Sequence, residues 1–239
     1  MVGRSIYKAI KKKNLFKIVE CSRKNLDFTN QKAVDIWFKK NKPEIVINAA
    51  GRVGGILDNS TYQPDYLYIN TMIGLNLINS SLKYNVKKLI NLGSACIYPK
   101  NVKQPIKENA LLSSQLEKSN EGYAIAKIVC LKYCQYLKQK LKKDFISIQP
   151  ANLYGKGDNF DLKSSHVLPA LVKKFTIAKN KQLNSVEIWG SGTAKREFLN
   201  VDDLSNAILF LLKNKIKEDY INIGSGEQFS IKKLALMIK

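Results

Sequence analysis

Histidine and paired cysteines are scarce in this sequence. It contains one histidine and four cysteines, and no Cys-x-x-Cys spacing occurs among them. Because structural zinc sites draw on sets of such ligands at short, regular spacing, the pattern gives no metal site. It also gives no disulfide framework, so we expect a reducing compartment.

Long hydrophobic runs are also absent. No apolar stretch approaches the roughly 20 residues that a membrane-spanning helix needs. The first ten residues lack the uninterrupted apolar core and the small-residue cleavage site of a signal peptide. We therefore expect a soluble, cytoplasmic chain with no membrane partner.

Acidic residues are few, with 19 Asp and Glu against 40 Lys and Arg and a formal net charge of +21. Such an excess can indicate nucleic-acid binding. The lysines, however, are scattered over predicted helix ends and polar helix faces, and no nucleic-acid-binding motif accompanies them. We interpret them as a solvated surface and expect no nucleic-acid partner. The positive electrostatic field of the chain would also suit an anionic small substrate.

The hydrophobic pattern alternates between strands and helices. The chain of 239 residues with 45% hydrophobic content can bury one substantial core with a smaller satellite. Predicted strands cover 16–20, 43–48, 88–92, 145–149, 186–189 and 220–224. Predicted helices cover 2–13, 31–40 after an Asn30 cap, 66–84, 121–141, a segment from 167, 202–213 capped by Asp202 or Asp203, and a segment after Ser230. This order predicts an α/β fold with a doubly wound, mainly parallel sheet.

Two polar side chains share one face of the predicted helix 121–141. Tyr123 and Lys127 lie one turn apart. A lysine ammonium beside a phenol favours the phenolate and so lowers the tyrosine pKa. The pair could therefore donate or accept a proton near neutral pH, although the same spacing on a helix is more often a surface pair.

Several unusual loops follow predicted strands, after Asn48, Leu92 and Gln149. In open parallel sheets, ligands bind beyond the carboxyl ends of the strands. The sequence therefore predicts a ligand site at this edge.

Gly93-Ser94, Tyr123-x-x-x-Lys127 and the alternating pattern resemble the extended short-chain dehydrogenase/reductases that act on nucleotide sugars. Within that group the resemblance is to the GDP-L-fucose synthase family. The segments that carry it are Ala49-Ala50-Gly51-Arg52-Val53-Gly54-Gly55-Ile56, Gly93-Ser94-Ala95-Cys96-Ile97-Tyr98-Pro99, Asn120-Glu121-Gly122-Tyr123-Ala124-Ile125-Ala126-Lys127, Ser165-His166-Val167-Leu168-Pro169-Ala170 and Trp189-Gly190-Ser191-Gly192-Thr193.

The resemblance implies NADPH-dependent 3,5-epimerisation and 4-reduction of GDP-4-keto-6-deoxy-D-mannose. Cys96 and His166 would be the base and the acid of the epimerisation. Tyr123 would protonate the C4 oxygen, Ser94 would hydrogen-bond that oxygen or the phenol, and Lys127 would lower the tyrosine pKa. A homodimer formed by long helices of the first domain is also implied.

Binding roles follow from the same resemblance. Arg23 would select NADP(H), because a guanidinium suits the 2′-phosphate of the cofactor. The implied cofactor-binding residues are Gly3, Arg23, Gly93, Ser94, Lys127, Pro150, Ala151, Asn152, Leu153 and His166. The GDP-sugar would meet Lys174 and Arg196 at its diphosphate, and Trp189 would form an apolar wall.

The family pattern also begins with a strand and a glycine-rich phosphate loop, of which only Gly3 matches the last glycine here. We therefore expect a Rossmann-like domain at 1–155 without its first strand. A smaller, incomplete substrate-binding region would follow at 156–239, partly interleaved with the sheet. Two alternatives stay open: another nucleotide-sugar epimerase or dehydratase, or an inactive Rossmann-like fragment that acts only in binding.

Overall fold

A four-stranded parallel sheet forms the centre of the structure, a computed structural model that describes residues 1–239. Its strand order is β1-β2-β3-β6, and all three pairings are parallel. The strands are β1 (Ile45–Asn48), β2 (Lys88–Leu92), β3 (Asp144–Pro150) and β6 (Tyr220–Ile223). The predicted doubly wound parallel sheet is confirmed.

Helices cover both faces of this sheet. They are α1 (Val2–Lys13), α2 (Gln31–Asn41), α3 (Ile56–Thr61), α4 (Gln63–Lys83), α5 (Glu121–Leu141), α6 (Val167–Asn180), α7 (Val201–Lys213) and α8 (Ile231–Ile238). One core lies between the sheet and α2, α4 and α5, and a second lies between the sheet and α1 and α7. Neighbouring residues such as Leu89 and Ile90 enter opposite cores, because side chains alternate along a strand. None of the eight helices combines the length and the hydropathy that crossing a bilayer requires.

A smaller sheet lies at the carboxyl end of the first. It contains β4 (Asn152–Tyr154), β5 (Lys195–Asn200) and β7 (Gln228–Ser230), in the order β4-β5-β7. Since β4 follows β3 after a single residue, the chain passes directly from the larger sheet to the smaller one. Helices α6 and α8 contribute Leu171 and Leu234 to the core beside it. The sequence pattern did not predict these three short strands.

The predicted strand 16–20 is wrong, because this segment has no regular secondary structure. A strand needs a neighbour with which to pair its N–H and C=O groups, and the edge strand β1 pairs only with β2. Phe16 and Val19 are instead 39% and 44% exposed.

The predicted strand 186–189 is also irregular. The segment looks like a strand in the sequence because Ile188 is apolar. Ile188 packs beside the smaller sheet, but its backbone does not pair with another strand. The cap predicted for α7 needs correction too, since Asn200, and not Asp202 or Asp203, accepts the backbone N–H of Asp202. The Asp202 carboxylate instead accepts the Ser5 hydroxyl at 2.6 Å.

Helices α4 and α5 pack against each other where Gly74 faces Cys130. A Cβ atom at Gly74 would overlap the Cys130 sulfur. Cys130 and Cys134 are buried small core residues, as predicted. The missing side chain at Gly74 therefore permits the close approach that sets α5 against α4.

We predict that Gly74→Ala destabilises the chain by about 1–3 kcal/mol through overpacking, although alanine is the better helix former. Urea unfolding measures the change. The double variant Gly74→Ala/Cys130→Ala should recover part of the loss, because it removes the overlapping sulfur. Equal stability of Gly74→Ala and wild type would contradict the packing described.

Candidate active site

The loops that follow the parallel strands meet at one edge of the larger sheet. They begin at Ala49 after β1, at Gly93 after β2 and at Ala151 after β3. Helix α5 starts beside them, because the Lys127 ammonium donates a 2.8 Å hydrogen bond to the Leu92 carbonyl at the end of β2. Residues from three loops and from α5 therefore lie together at the carboxyl edge of the sheet, where the sequence predicts a ligand site.

A chain of buried polar side chains crosses the sheet just below this edge. The Asn48 amide donates to Asn91 Oδ1 at 2.9 Å, and the Asn91 amide donates to Ser147 Oγ at 3.1 Å. Gln149 donates to the same serine oxygen at 3.1 Å, and its Oε1 accepts the backbone N–H of Ser94 at 2.8 Å. Three neighbouring strands thereby determine where the loop carrying Ser94 begins.

Gly93 is required by the same contact. A Cβ atom there would overlap the Gln149 side chain. Any larger residue would push Gln149 away from the Ser94 backbone. The structural role of Gly93 is therefore to let the glutamine reach the loop.

Ser94 and Cys96 lie on one tight turn. Ser94 Oγ accepts the backbone N–H of Cys96 at 3.2 Å and so caps a short 3₁₀ turn at Ala95–Ile97. Burial raises the pKa of the Cys96 thiol, while the Ser94 hydroxyl, the Arg196 guanidinium and the Asn120 amide oppose the shift. The thiol therefore keeps its proton at neutral pH, with a cation nearby that favours its thiolate.

Tyr123 faces the same turn from the first turn of α5. Burial raises its pKa, the nearby Cys96 adds to this, and a hydrogen bond with Ser94 opposes it. Lys127 is not among the groups that act on this pKa here, so its lowering of the tyrosine pKa stays a prediction. The Lys127 ammonium lies 5.6 Å from the centre of the Tyr123 ring and donates to the Leu92 carbonyl. A protonated phenol in this position is a proton donor.

Lys127 is itself buried, which lowers its pKa, while Cys130 and Cys96 oppose the shift. The loop after β1 runs past its ammonium. In that loop Asn70 Oδ1 accepts the backbone N–H of Arg52 at 3.0 Å, and the Asn70 amide donates to the Arg52 carbonyl at 3.1 Å. Asn70 thus fastens this loop to α4.

A cluster of aromatic and charged side chains packs against the Tyr123 ring. The ring packs edge-to-face on the fully buried Tyr66, with 6.2 Å between centroids. The Tyr66 hydroxyl donates to Asp58, and the Arg52 guanidinium lies 4.9 Å from the Tyr66 ring centre. Arg52 also pairs with Asp65 at 2.7 Å. These contacts restrict the orientation of the Tyr123 ring.

His166 lies in a separate loop before α6, in the position of the helix cap, and its side chain does not cap the helix. The loop is tied to the first one, because the backbone N–H of Gly55 donates to the Ser164 carbonyl at 2.9 Å. A Cβ at Gly55 would overlap the Ser165 carbonyl. The imidazole is open to solvent on one side; the protein around it lowers its pKa, and the carboxylate of Asp158 opposes the shift.

Lys174 and Trp189, which were predicted to bind the substrate, lie next to each other. The Lys174 ammonium is 5.1 Å from the Trp189 ring centre and donates to the Glu187 carbonyl at 2.9 Å. The indole is 64% exposed, so one face of it is free to pack on a ligand. The Arg196 guanidinium donates to the Lys195 carbonyl at 2.7 Å, and its charge favours the Cys96 thiolate. Its contact with the diphosphate stays a prediction.

The residues implied for NADP(H) fit a dinucleotide. The N-terminus of α1 has no side-chain cap, so its first N–H groups are free to meet a phosphate, and Gly3 lies against Ala49 at the end of β1. Arg23 is exposed on a turn and forms no ion pair. Pro150, Ala151, Asn152 and Leu153 join the two sheets, and the Asn152 amide donates to the Glu197 carbonyl at 2.9 Å.

Sequence reasoning missed several residues that organise the site, namely Asn48, Asn70, Asn91, Asn120, Ser147 and Gln149. A signal existed for those in the strands, because Ile-Val-Ile-Asn48 and Ile-Ser-Ile-Gln149 place polar residues in otherwise apolar strands. The side-chain partners themselves come from different strands and helices, which no local pattern connects.

The chain is similar to known nucleotide-sugar enzymes. The NAD dependent epimerase/dehydratase family matches residues 1–224. GDP-L-fucose synthase of Sinorhizobium fredii is 47% identical over 238 residues, covering 100% of this chain and 76% of that protein.

Two solved structures are similar as well. GDP-mannoheptose C4 reductase MlghC from Campylobacter jejuni, with NADP bound, has a TM-score of 0.90 at 34% identity and covers 100% of this chain and 81% of that one. The GDP-L-fucose synthetase of Naegleria fowleri bound to NADP has a TM-score of 0.89 at 29% identity and covers 100% and 73%.

We predict that Arg196→Gln raises the thiol pKa of Cys96, because a cation that favours the thiolate is lost. The rate of iodoacetamide alkylation at Cys96, followed against pH by peptide mass spectrometry, measures this shift. Lys195→Gln is the matched control, removing a neighbouring exposed cation that does not act on the thiol. Identical pH profiles for Arg196→Gln and wild type would contradict the placement of Arg196.

Proposed function

Because the chain belongs to the NAD dependent epimerase/dehydratase family and, within it, to the GDP-L-fucose synthases, we propose that it converts GDP-4-keto-6-deoxy-D-mannose to GDP-L-fucose. The reaction epimerises C3 and C5 and reduces C4, with NADPH as reductant. The observation that carries the proposal is the grouping of Ser94, Cys96, Tyr123 and Arg196 at the carboxyl edge of the sheet.

The epimerisation half uses the acidity of hydrogens next to a ketone. Removing a proton at C3 or C5 places negative charge on the C4 oxygen, and the Ser94 and Tyr123 hydroxyls are the donors that would stabilise it. Cys96 takes the proton, with Arg196 favouring the thiolate that must form. His166 protonates the opposite face of the ring. A protonated thiol and a neutral imidazole share one titratable proton. Moving that proton from Cys96 to His166 gives the thiolate that takes the proton from carbon and the imidazolium that returns one to the opposite face.

The reduction half uses the protonated phenol. The raised pKa of Tyr123 keeps its proton at neutral pH, so that the proton is available for the C4 oxygen. Bound NADPH would supply the hydride. Lys127, the N-terminus of α1, Arg23 and residues 150–153 would hold the cofactor. Lys174 and Trp189 would bind the GDP part of the substrate at the smaller sheet.

The two parts of the chain would bind different ligands. Residues 1–155 would bind the cofactor and 156–239 the sugar nucleotide, with β6 returning to the larger sheet. Four free cysteines and the use of NADPH agree with a cytoplasmic location.

A second candidate is a C4 reductase that does not epimerise. The similarity to a GDP-mannoheptose C4 reductase favours it. The two functions share the roles of Tyr123, Lys127 and Ser94 and differ in whether Cys96 and His166 move protons at carbon.

The long helices suggest a homodimer. Tyr68 on α4 and Ile125, Val129 and Tyr136 on α5 are exposed apolar side chains, and those on α5 recur at helical spacing. A second copy that packs its own α4 and α5 on this stripe would cover them.

The first prediction from this function is that the chain oxidises NADPH when given GDP-4-keto-6-deoxymannose and, in D₂O without NADPH, incorporates deuterium at C3 and C5. Absorbance measures the oxidation of NADPH, and NMR measures the incorporation of deuterium. Turnover of a different nucleotide sugar, with none of this one, would overturn the proposal. NADPH oxidation without deuterium at carbon would select the C4 reductase.

The two halves should separate by substitution. Tyr123→Phe removes the proton donor and should lower NADPH oxidation by about 10²–10⁴-fold. Deuterium incorporation should fall less, because Ser94 remains to stabilise the C4 oxyanion. Cys96→Ser should lower deuterium incorporation by a similar factor and spare reduction of an already epimerised intermediate. Equal loss of both activities in each variant would count against separate roles.

For the dimer, we predict that Tyr136→Lys shifts the chain to monomer, because a charge enters the apolar stripe. Analytical ultracentrifugation measures the mass. Phe210→Lys is the control, since Phe210 is equally exposed on α7, which packs on the opposite face of the sheet. A monomeric mass for the wild-type chain would contradict the proposed homodimer.

A further inference from the structure

Asn120 stands immediately before α5, in the position where asparagine normally caps a helix. Its side chain does not make the capping hydrogen bond. Gln63 of α4 supplies the cap instead. Its Oε1 accepts the backbone N–H of Gly122 at 3.1 Å, and its amide donates to the Lys118 carbonyl at 2.9 Å. The Asn120 side chain is therefore not needed to begin the helix.

The carbonyl oxygen of that side chain is enclosed and has no hydrogen-bond partner. Buried amide oxygens in folded proteins are almost always paired, since leaving one unpaired costs free energy. The neighbouring residue Ser119 shows the contrast, because its hydroxyl and backbone N–H are both directed to Glu117. An unsatisfied acceptor at Asn120 indicates a partner that the protein itself does not provide.

The amide of Asn120 lies beside the sulfur that the epimerisation uses. It is one of the groups that lower the Cys96 thiol pKa against the effect of burial. The charged and titratable groups around that sulfur are Arg196 from β5 and Tyr123 and Lys127 from α5. Asn120 is thus positioned between the base and the start of the helix that carries the phenol.

We propose that Asn120 is a substrate-binding residue of the epimerisation half: its Oδ1 accepts a hydroxyl of the bound hexose while its NH₂ group faces the Cys96 sulfur. The assignment rests on the proposed function and adds a residue to it. A hydroxyl is the matching donor, because a hexose ring presents several O–H groups and Oδ1 can only accept. A ring held by this oxygen keeps its C–H bond directed at the base, and such positioning is a large part of catalysis.

Two substitutions separate the roles of the two atoms. Asn120→Asp keeps an oxygen acceptor of the same shape, caps helices equally well, and removes the NH₂ donors. Asn120→Ala removes both groups. Ser119→Ala is the matched control, since its hydroxyl contacts only Glu117.

Solvent-deuterium incorporation into GDP-4-keto-6-deoxymannose is measured first, with KM and kcat resolved. We expect Asn120→Ala to raise KM and to lower kcat/KM by about 10²-fold. Asn120→Asp should keep a KM near that of wild type and lose kcat, with the pH dependence displaced to higher pH. A structural role would lower the melting temperature of both variants without splitting KM from kcat, and that result, or wild-type kinetics in Asn120→Ala, would overturn the assignment.

Alkylation of Cys96 by iodoacetamide is measured second and needs no turnover. The rate at neutral pH should fall in Asn120→Ala and fall further in Asn120→Asp, by roughly tenfold for each unit of thiol pKa. Ser119→Ala should match wild type. If wild type fails to exchange deuterium, the proposed function fails. Whether or not the wild type exchanges deuterium, unchanged alkylation in both Asn120 variants would reject Asn120 as a partner of Cys96.

Discussion

The buried amide and hydroxyl chain that runs through Asn48, Asn91, Ser147 and Gln149 is the constraint on which the site depends. Each of these polar groups lies inside the sheet, where an unpaired donor or acceptor would cost about 1–3 kcal/mol. They can all be paired only if β1, β2 and β3 keep their observed register. The last member holds the Ser94 backbone, so the register of the strands determines the position of the catalytic turn.

Burial has a second effect, on protonation. Lys127 is buried and Tyr123 and Cys96 are partly buried, and desolvation disfavours the charged form of each. The phenol and the thiol consequently keep their protons at neutral pH, because burial outweighs the groups that favour their charged forms. The lysine ammonium lies over the ring side and bonds to the Leu92 carbonyl. In this arrangement the tyrosine is suited to give a proton to a developing oxyanion.

Much of the fold follows from local pattern. The helices beginning near Val2, Gln31 and Glu121 and the buried strands 88–92 and 145–149 were predictable, because apolar periodicity and caps such as Asn30 and Ser230 depend on neighbouring residues alone. The segment 16–20 shows the limit. Its composition suits a strand, yet a strand exists only where another backbone pairs with it.

The sequence by itself determined the element order, the ligand edge at the carboxyl ends of the strands and the residue types that carry the chemistry. Only the tertiary structure brought Arg196 to Cys96, Gln149 to Ser94 and Gln63 to the start of α5. These partners are far apart in the chain, and they meet because packing of the two cores places them together. The same packing released Asn120 from the capping role that its position before a helix predicts.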